Sequence, residues 1–297
     1  MRLVALGIST AFAATYAVAG EGSGLRGGLD IFDEGRLLAT AGVSSVDGSG
    51  GGGLATWATI TGYGSSSGLG VNGHYTVVDT GDYRLQSAGS AIGLFNRVEL
   101  SYAHQWFDTK MVGAELGLGE GYTFEQDVLG LKVRLFGDVV YDQDTLLPQV
   151  AIGVQYKKNN RGDLLAAIGA GDDEGVDYYI SATKLFLAES LLVSGTLRYT
   201  KANQFGILGF GGDKQGDYTL QGEGSVAWLV DKHLALGAEY RFKPDNLGIA
   251  GEDDAFDVFA AIFPSKNLSV TVAYVDLGNI VLRDKQRGVY LSLQAGF

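Results

Sequence analysis

Cysteine is absent from the 297 residues, which removes disulfide scaffolds, thiolate-bound zinc or iron–sulfur sites and cysteine nucleophiles. Proline occurs only three times, too rarely for a Pro/Gly-rich disordered chain. Beyond the N-terminus no stretch approaches the ~18 consecutive apolar residues of a membrane-crossing helix; the clean apolar runs are short, as in Leu164-Leu165-Ala166-Ala167-Ile168. Positive charge is scarce too. Lys and Arg number 22 against 34 Asp and Glu, a net charge of −12, which excludes the basic stripe of a nucleic-acid-binding protein. Glycine, by contrast, is abundant at 46 residues, roughly twice ordinary usage, and its lack of a three-residue period excludes collagen.

The N-terminus carries an address. Arg2 precedes an apolar run from Leu3 to Ala19 that closes on Ala17-Val18-Ala19 and turns polar at Gly20-Glu21. A charged start, an apolar centre and a small-x-small end predict a signal peptide over residues 1–19, cut after Ala19, with Ala17 and Ala19 as the cleavage residues. Residues 20–35 then read as a periplasmic segment and 36–297 as the folded body. An exported chain without a spanning helix is periplasmic, secreted, or a barrel in an outer membrane.

Alternation of period two decides among these. Val150, Ile152, Val154 and Tyr156 alternate with Gln149, Ala151, Gly153, Gln155 and Lys157, and Leu234, Leu236, Ala238, Tyr240 and Phe242 alternate with Ala235, Gly237, Glu239, Arg241 and Lys243. Leu129, Leu131, Val133 and Leu135 alternate likewise with Gly130, Lys132, Arg134 and Phe136. One parity is large and apolar, with aromatics such as Tyr156, Trp228, Tyr240 and Tyr274 near strand ends. The other mixes Gly, Ala and Ser with charges of both signs, which suits a hydrated barrel interior. Strands are expected near 36–46, 53–63, 69–79, 82–94, 96–107, 124–138, 148–158, 176–187, 190–200, 216–230, 233–243, 254–263, 267–277 and 287–297. That is an all-β, antiparallel transmembrane barrel of the outer-membrane type with about 14 strands, and 12 as the alternative because the first strands are the weakest. Tight links at Phe95-Asn96, Ala188-Glu189, Asp231-Lys232 and Pro264-Ser265-Lys266 alternate with long loops over 108–123, 159–175, 201–215, 244–253 and 278–286, the periplasmic and external sides respectively. The medium link 139–147 breaks that alternation.

The final strand places Phe297, Ala295, Leu293, Leu291 and Val289 on one face and Gly296, Gln294, Ser292, Tyr290 and Gly288 on the other. A terminal Phe on an alternating strand is similar to the sorting signal read by the outer-membrane barrel assembly machinery, with Tyr290, Leu291, Leu293 and Phe297 as the residues offered to it. Lipid and lipopolysaccharide are the expected surroundings. The stretches Gly48-Ser49-Gly50-Gly51-Gly52-Gly53, Asp79-Thr80-Gly81-Asp82-Tyr83-Arg84-Leu85, Tyr141-Asp142-Gln143-Asp144-Thr145, Asn203-Gln204-Phe205-Gly206, Gly209-Phe210-Gly211-Gly212-Asp213, Lys243-Pro244-Asp245-Asn246-Leu247 and Asp276-Leu277-Gly278-Asn279-Ile280 resemble an uncharacterised proteobacterial outer-membrane barrel family, domain of unknown function 3034. The resemblance spans most of the chain and implies the placement; it brings no activity and no assigned residues.

The remaining motifs read mostly as structure. The glycine cluster 48–53 leads into Leu54-Ala55-Thr56-Trp57-Ala58-Thr59-Ile60, a strand-like run rather than a dinucleotide-binding helix, and reads as a loop between strands. His74 falls on the lumen parity, His104 near an interface, His233 by a turn; none accompanies a nucleophile motif or metal spacing. A barrel hydrolase would need His74 within hydrogen-bond reach of a Ser or Asp. Asp172-Asp173-Glu174 and Glu252-Asp253-Asp254 are acidic clusters of external loops without calcium-loop spacing. The Leu164–Ile168 run is a short helix that folds into the barrel mouth or packs on its rim. The candidates for function are the charges on the inward parity, Glu99, Lys132, Arg134, Lys157, Arg198, Glu223, Glu239, Arg241 and Lys243, which a hydrated lumen would tolerate and use for selectivity. The expectation is a passive, porin-like channel for small solutes, without cofactor or enzymatic activity. The alternative is a barrel plugged by its N-terminal segment and loops, with a surface or envelope-structural role.

Overall fold

The computed structural model describes residues 43–297. The expected signal peptide with Ala17 and Ala19, the 20–35 segment and the start of the expected 36–46 strand lie outside the described residues. Twelve strands form the wall: β1 (Leu69–Asp79), β2 (Arg84–Leu94), β3 (Val98–Asp108), β4 (Thr123–Phe136), β5 (Gln149–Asn159), β6 (Glu174–Phe186), β7 (Leu191–Thr200), β8 (Thr219–Leu229), β9 (Leu234–Arg241), β10 (Ala255–Ser265), β11 (Leu268–Asp276) and β12 (Arg287–Gly296). Each pairs antiparallel with its chain neighbours. β12 returns to β1, with Val289 opposite Asp79 and Gly296 opposite Asn72, so the sheet closes and has no edge. Closure satisfies every strand's backbone within the wall, the condition for crossing lipid. No helix among the described residues is long and apolar enough to cross a membrane.

The count is the smaller of the two expected. Residues 53–63 form no strand, and Val43–Ser44 makes only a two-residue ladder with Gly50–Gly51. The wall begins at Leu69 rather than at residue 36. The alternation in this stretch resembles a strand's, but its glycines and small polar side chains offer no large apolar face for lipid. Its backbone finds partners inside the barrel instead.

Along the wall the parity decides burial. Leu100, Leu129, Leu131, Ile152, Leu197, Val258, Leu291 and Leu293 are exposed on the outside, whereas Gln105, Gln126, Gln149, Thr183, Thr196 and Ser292 are buried within. The aromatics Tyr156, Trp228, Tyr240, Phe242 and Tyr274 stand on the exterior. A register shift between Arg134 and Phe136 turns Phe136 outward, so Phe136 departs from the polar parity expected for it. An apolar exterior around a closed, polar-lined antiparallel barrel is the arrangement of a Gram-negative outer-membrane protein, and the chain is one.

The connections separate by end. At one end lie the links 95–97, 187–190, 230–233 and 266–267, together with the longer 137–148 link. That link is folded onto the barrel by the buried Val139 and Val140 and by Gln143 Nε2, which donates to the Leu185 carbonyl at 2.9 Å. At the other end the long loops carry α1 (Lys110–Glu115) and α2 (Gly162–Ala167).

Candidate functional site: a filled lumen

Every residue from Val43 to Gly64 is buried, and the barrel supplies the cover. The segment starts near the short-turn end, where Ser44 N donates to Gln294 Oε1 at 2.7 Å. It rises until the Val46 carbonyl accepts from Ser87 Oγ (2.8 Å) and Gln105 Nε2 (2.7 Å) and Asp47 meets Lys157 and Arg241 at 3.3 and 3.1 Å. Gly48, at φ +89, turns the chain against the wall: a Cβ there would sit 3.0 Å from the Ala103 side chain. The chain then leaves beside Phe297, whose carbonyl accepts from Tyr63 N at 3.0 Å, and leads into β1.

The wall grips this segment by its backbone, and the gripping groups are the lumen charges. Glu99 accepts Gly50 N and Thr61 N, at 2.9 and 2.8 Å. Lys132, 3.1 Å from Glu99, donates to the Gly50 and Thr59 carbonyls at 2.7 and 2.9 Å. Glu239 accepts Leu54 N (2.7 Å) and Ala55 N (3.3 Å), Glu223 accepts Thr56 N (2.8 Å), and Arg241 donates to the Leu54 carbonyl (2.9 Å). Arg198 holds Glu223 at 2.5 Å, Asp177 at 3.4 Å and the Thr56 hydroxyl at 2.8 Å. A buried ion left alone costs several kcal/mol, roughly, even after relaxation; here each of these cations has a carboxylate, and the backbone of Gly50, Leu54, Ala55, Thr56, Thr59 and Thr61 has charged partners.

Above the segment the loop 201–218 dips into the outer mouth. Its kinked turn Asn203–Gly206 holds Gln204 and Phe205 at positive φ, 43° and 62°. The Phe205 carbonyl accepts from Lys157 Nζ at 2.9 Å, and the Phe205 ring lies 4.4 Å from the Arg241 guanidinium. Around it is an apolar layer of Tyr83, Phe107, Phe124, Leu165, Leu208 and Ile280. Burial pushes the Tyr83 phenol up to about 12, so it remains the donor of a 3.0 Å bond to the Ile280 carbonyl. The Leu164–Ile168 run supplies α2, whose Leu165 packs into this layer at the mouth.

The nine candidate charges divide by position. Glu99, Lys132, Lys157, Arg198, Glu223, Glu239 and Arg241 are buried on the inner face of the wall. Lys243 lies beyond the end of β9, in the mouth, 3.4 Å from Glu252; burial holds its ammonium below the usual lysine range against the pull of Glu252. Arg134 sits at the short-turn rim, half-buried and 3.2 Å from Asp138, outside the filled lumen. Three lumen carboxylates were missed: Asp47, Asp177 and Asp257. Asp257 had a signal, since it alternates with Phe256 and Val258. Of the four final-strand residues, Leu291, Leu293 and Phe297 face outward, and Tyr290 is buried inside against the segment.

The histidines resolve separately. His104 faces outward and its Nδ1 is 2.8 Å from Asp127. His233 Nδ1 lies 2.7 Å from the Phe263 carbonyl. His74 does lie within reach of a serine, Nε2 being 3.2 Å from Ser87 Oγ. That hydroxyl donates its single proton to the Val46 carbonyl, so it accepts from His74. Among the described residues no group of three or more His, Cys, Asp or Glu side chains could hold a metal.

Residues 40–294 match the family model "Protein of unknown function (DUF3034)". The chain belongs to this family. No curated protein matches the chain. Among solved structures it is similar to the KdgM porin (11% identity, TM-score 0.47, 77% of this chain and 99% of that one) and to the NanC porin (10%, 0.46, 77% and 98%). It is also similar to the Salmonella typhi outer membrane phospholipase (10%, 0.39, 89% and 97%).

Proposed function

We propose that the protein is a porin-like channel for small polar solutes, held shut by residues 43–64 and opened when that segment leaves the lumen. The observation behind this reading is the polar grip: the wall's charges hold the segment by its amides and carbonyls, and water can replace each such bond. The wall left behind carries Glu99, Lys132, Arg198, Glu223, Glu239 and Arg241 among its inward side chains, as a conduit for hydrated solutes requires. Lipid and lipopolysaccharide bathe the apolar exterior, and Leu291, Leu293 and Phe297 face the side from which the assembly machinery would read the last strand. An esterase-like use of His74 is disfavoured by the direction of the Ser87 hydrogen bond.

The test is planar-bilayer conductance of the refolded mature protein beside a variant lacking residues 43–64. Steady silence from the former, discrete steps from the latter, and altered ion selectivity on adding Glu223→Lys to the deletion support the gated channel. A deletion variant that folds as a barrel and stays silent sinks it, and supports an envelope-structural barrel instead.

A further inference from the structure

Among the described residues the lumen holds six buried carboxylates: Asp47, Glu99, Asp177, Glu223, Glu239 and Asp257. Four of them have a Lys or Arg within 3.4 Å: Asp47 has Lys157 and Arg241, Glu99 has Lys132, Asp177 has Lys157 and Arg198, Glu223 has Arg198 and Arg241. Among the described residues Glu239 and Asp257 have none. These two stand directly opposite one another on β9 and β10, both on the inward face of the wall. Both are almost wholly buried, 3% and 1% exposed, and Asp257 Oδ1 has no hydrogen-bond partner.

What faces the pair is accounted for. β8 contributes Ser225, whose hydroxyl donates to Glu239 Oε1 at 2.9 Å, and Glu223, which Arg198 and Arg241 hold. On β9 the nearest cation, Arg241, is taken by Asp47 and Glu223. β11 contributes Val275, the register partner of Asp257, and β12 the Tyr290 phenol, which are uncharged. The segment contributes Leu54 N and Ala55 N to Glu239 and lays Gly52 and Gly53 across the pair. A Cβ on Gly52 would stand 1.5 Å from Glu239 Oε1, and one on Gly53 3.5 Å from Asp257 Oδ2. Two adjacent carboxylates with no cation, sealed under backbone, cannot both carry charge.

We propose that Glu239 and Asp257 hold a single proton between them while the segment fills the lumen, and that release of this proton unlatches the segment. In the closed state one carboxyl donates its O–H to the other, and Glu239 keeps its bonds to Leu54 N and Ala55 N. When the proton passes to bulk water, two like charges face each other beneath Gly52 and Gly53. Repulsion and the gain in hydration both favour lifting the segment away. The proposal rests on the gated-channel reading and adds its regulation: acid keeps the lumen shut, alkali opens it.

The absence of cysteine makes the test clean, because a Ser45→Cys reporter is the only thiol. Labelling of this buried position by a membrane-impermeant thiol reagent reads release of the segment, independently of conduction. The same reporter in Asp257→Asn and Glu239→Gln backgrounds corrects for titration of the thiol itself. Both substitutions keep the shape and hydrogen bonding of a protonated pair. The expected result is labelling that rises with pH in the parent by up to about tenfold per unit beyond its rise in Asp257→Asn, as linkage to one proton requires. Glu239→Gln should follow Asp257→Asn. Identical profiles in parent and variants overturn the latch, as does a parent that is never labelled. Protection at alkaline pH by millimolar calcium or sodium equal to that of acid also overturns it, since a metal ion would then be the occupant. Labelling that follows the expected profile without any current leaves the latch standing and removes the channel reading instead.

Discussion

The segment 43–64 is gripped by carboxylates, lysines and arginines acting on its backbone, whereas the outer cap above it is packed from the side chains of Tyr83, Phe107, Phe124, Leu165 and Leu208. The two closures differ in what happens when they come undone. Charges on a polar wall lose little when water takes the place of an amide, since solvation replaces the hydrogen bond. An apolar layer exposed to water loses ~25 cal/mol for each Å² uncovered. The inner closure is thus the one a small chemical change can move, and the cap is the one that stays.

The largest expected effect comes from breaking an ion that has one partner. Among the described residues Lys132 is the only cation paired with Glu99, and it also donates to Gly50 and Thr59. Lys132→Met leaves Glu99 buried and unpaired, which should destabilise the barrel by about 3–5 kcal/mol, read as a lower unfolding midpoint in detergent. The Ser45→Cys reporter should become labelled well below that midpoint, because the segment loses its grip before the wall opens. Coincident loss of both would mean that segment and wall form one cooperative unit.

The cap should behave in the opposite way. Leu165 is 1% exposed on α2 within the apolar layer, and Leu165→Ala should cost about 2–3 kcal/mol by the usual cavity argument. The expected signature is a lower midpoint or easier proteolysis of the 160–173 loop, with segment labelling unchanged. If Leu165→Ala frees the segment as readily as Lys132→Met does, the two closures are mechanically coupled and the contrast between them fails.

These contrasts also show which parts were legible in the sequence. The wall was, from β1 at Leu69 to β12, because lipid outside and polar groups inside impose a period of two and a one-residue slip would turn Leu129 and Leu131 inward. The segment was not. Trp57, Thr59 and Thr61 alternate with Ala58 and Ile60 much as a strand would, and nothing in that pattern tells a neighbouring strand from a side-chain partner such as Glu99 or Arg198. The five glycines among residues 48–53 were the missed signal, since so many positions without a side chain mark backbone pressed against a wall. Arg134 carries the inward parity of Lys132, but the bulge beside it ends the ladder. A local irregularity of that kind is invisible to a period.

Gly52 sharpens the comparison at a single methyl group. Its Cβ would fall 1.5 Å from Glu239 Oε1 and 2.4 Å from Glu239 Cδ, so Gly52→Ala should cost about 1–2 kcal/mol by overpacking, felt as partial release of the segment. Gly195, on the outside of β7, has nothing within 4 Å of where a Cβ would be. Gly195→Ala should leave stability within about 0.5 kcal/mol of the parent and leave labelling as it was. The pair of variants asks whether the lumen side alone is tight.

The smallest effect is expected on the outer face. The Tyr240 hydroxyl donates to Asp254 Oδ2 at 2.8 Å, and the residue is 42% exposed. Its neighbours on β9, Glu239 and Arg241, point the other way and hold the segment. Tyr240→Phe removes one exposed hydrogen bond and keeps the ring, so stability should fall by about 0.5 kcal/mol or less, and Ser45→Cys labelling should match the parent at every pH. Residues adjacent in sequence would then differ sharply in consequence because a strand sends them to opposite faces, one into lipid and one into the latch. A shifted labelling profile in Tyr240→Phe would mean instead that the exterior girdle reaches the lumen through the β9 backbone, and the division of labour between the two faces would have to be given up.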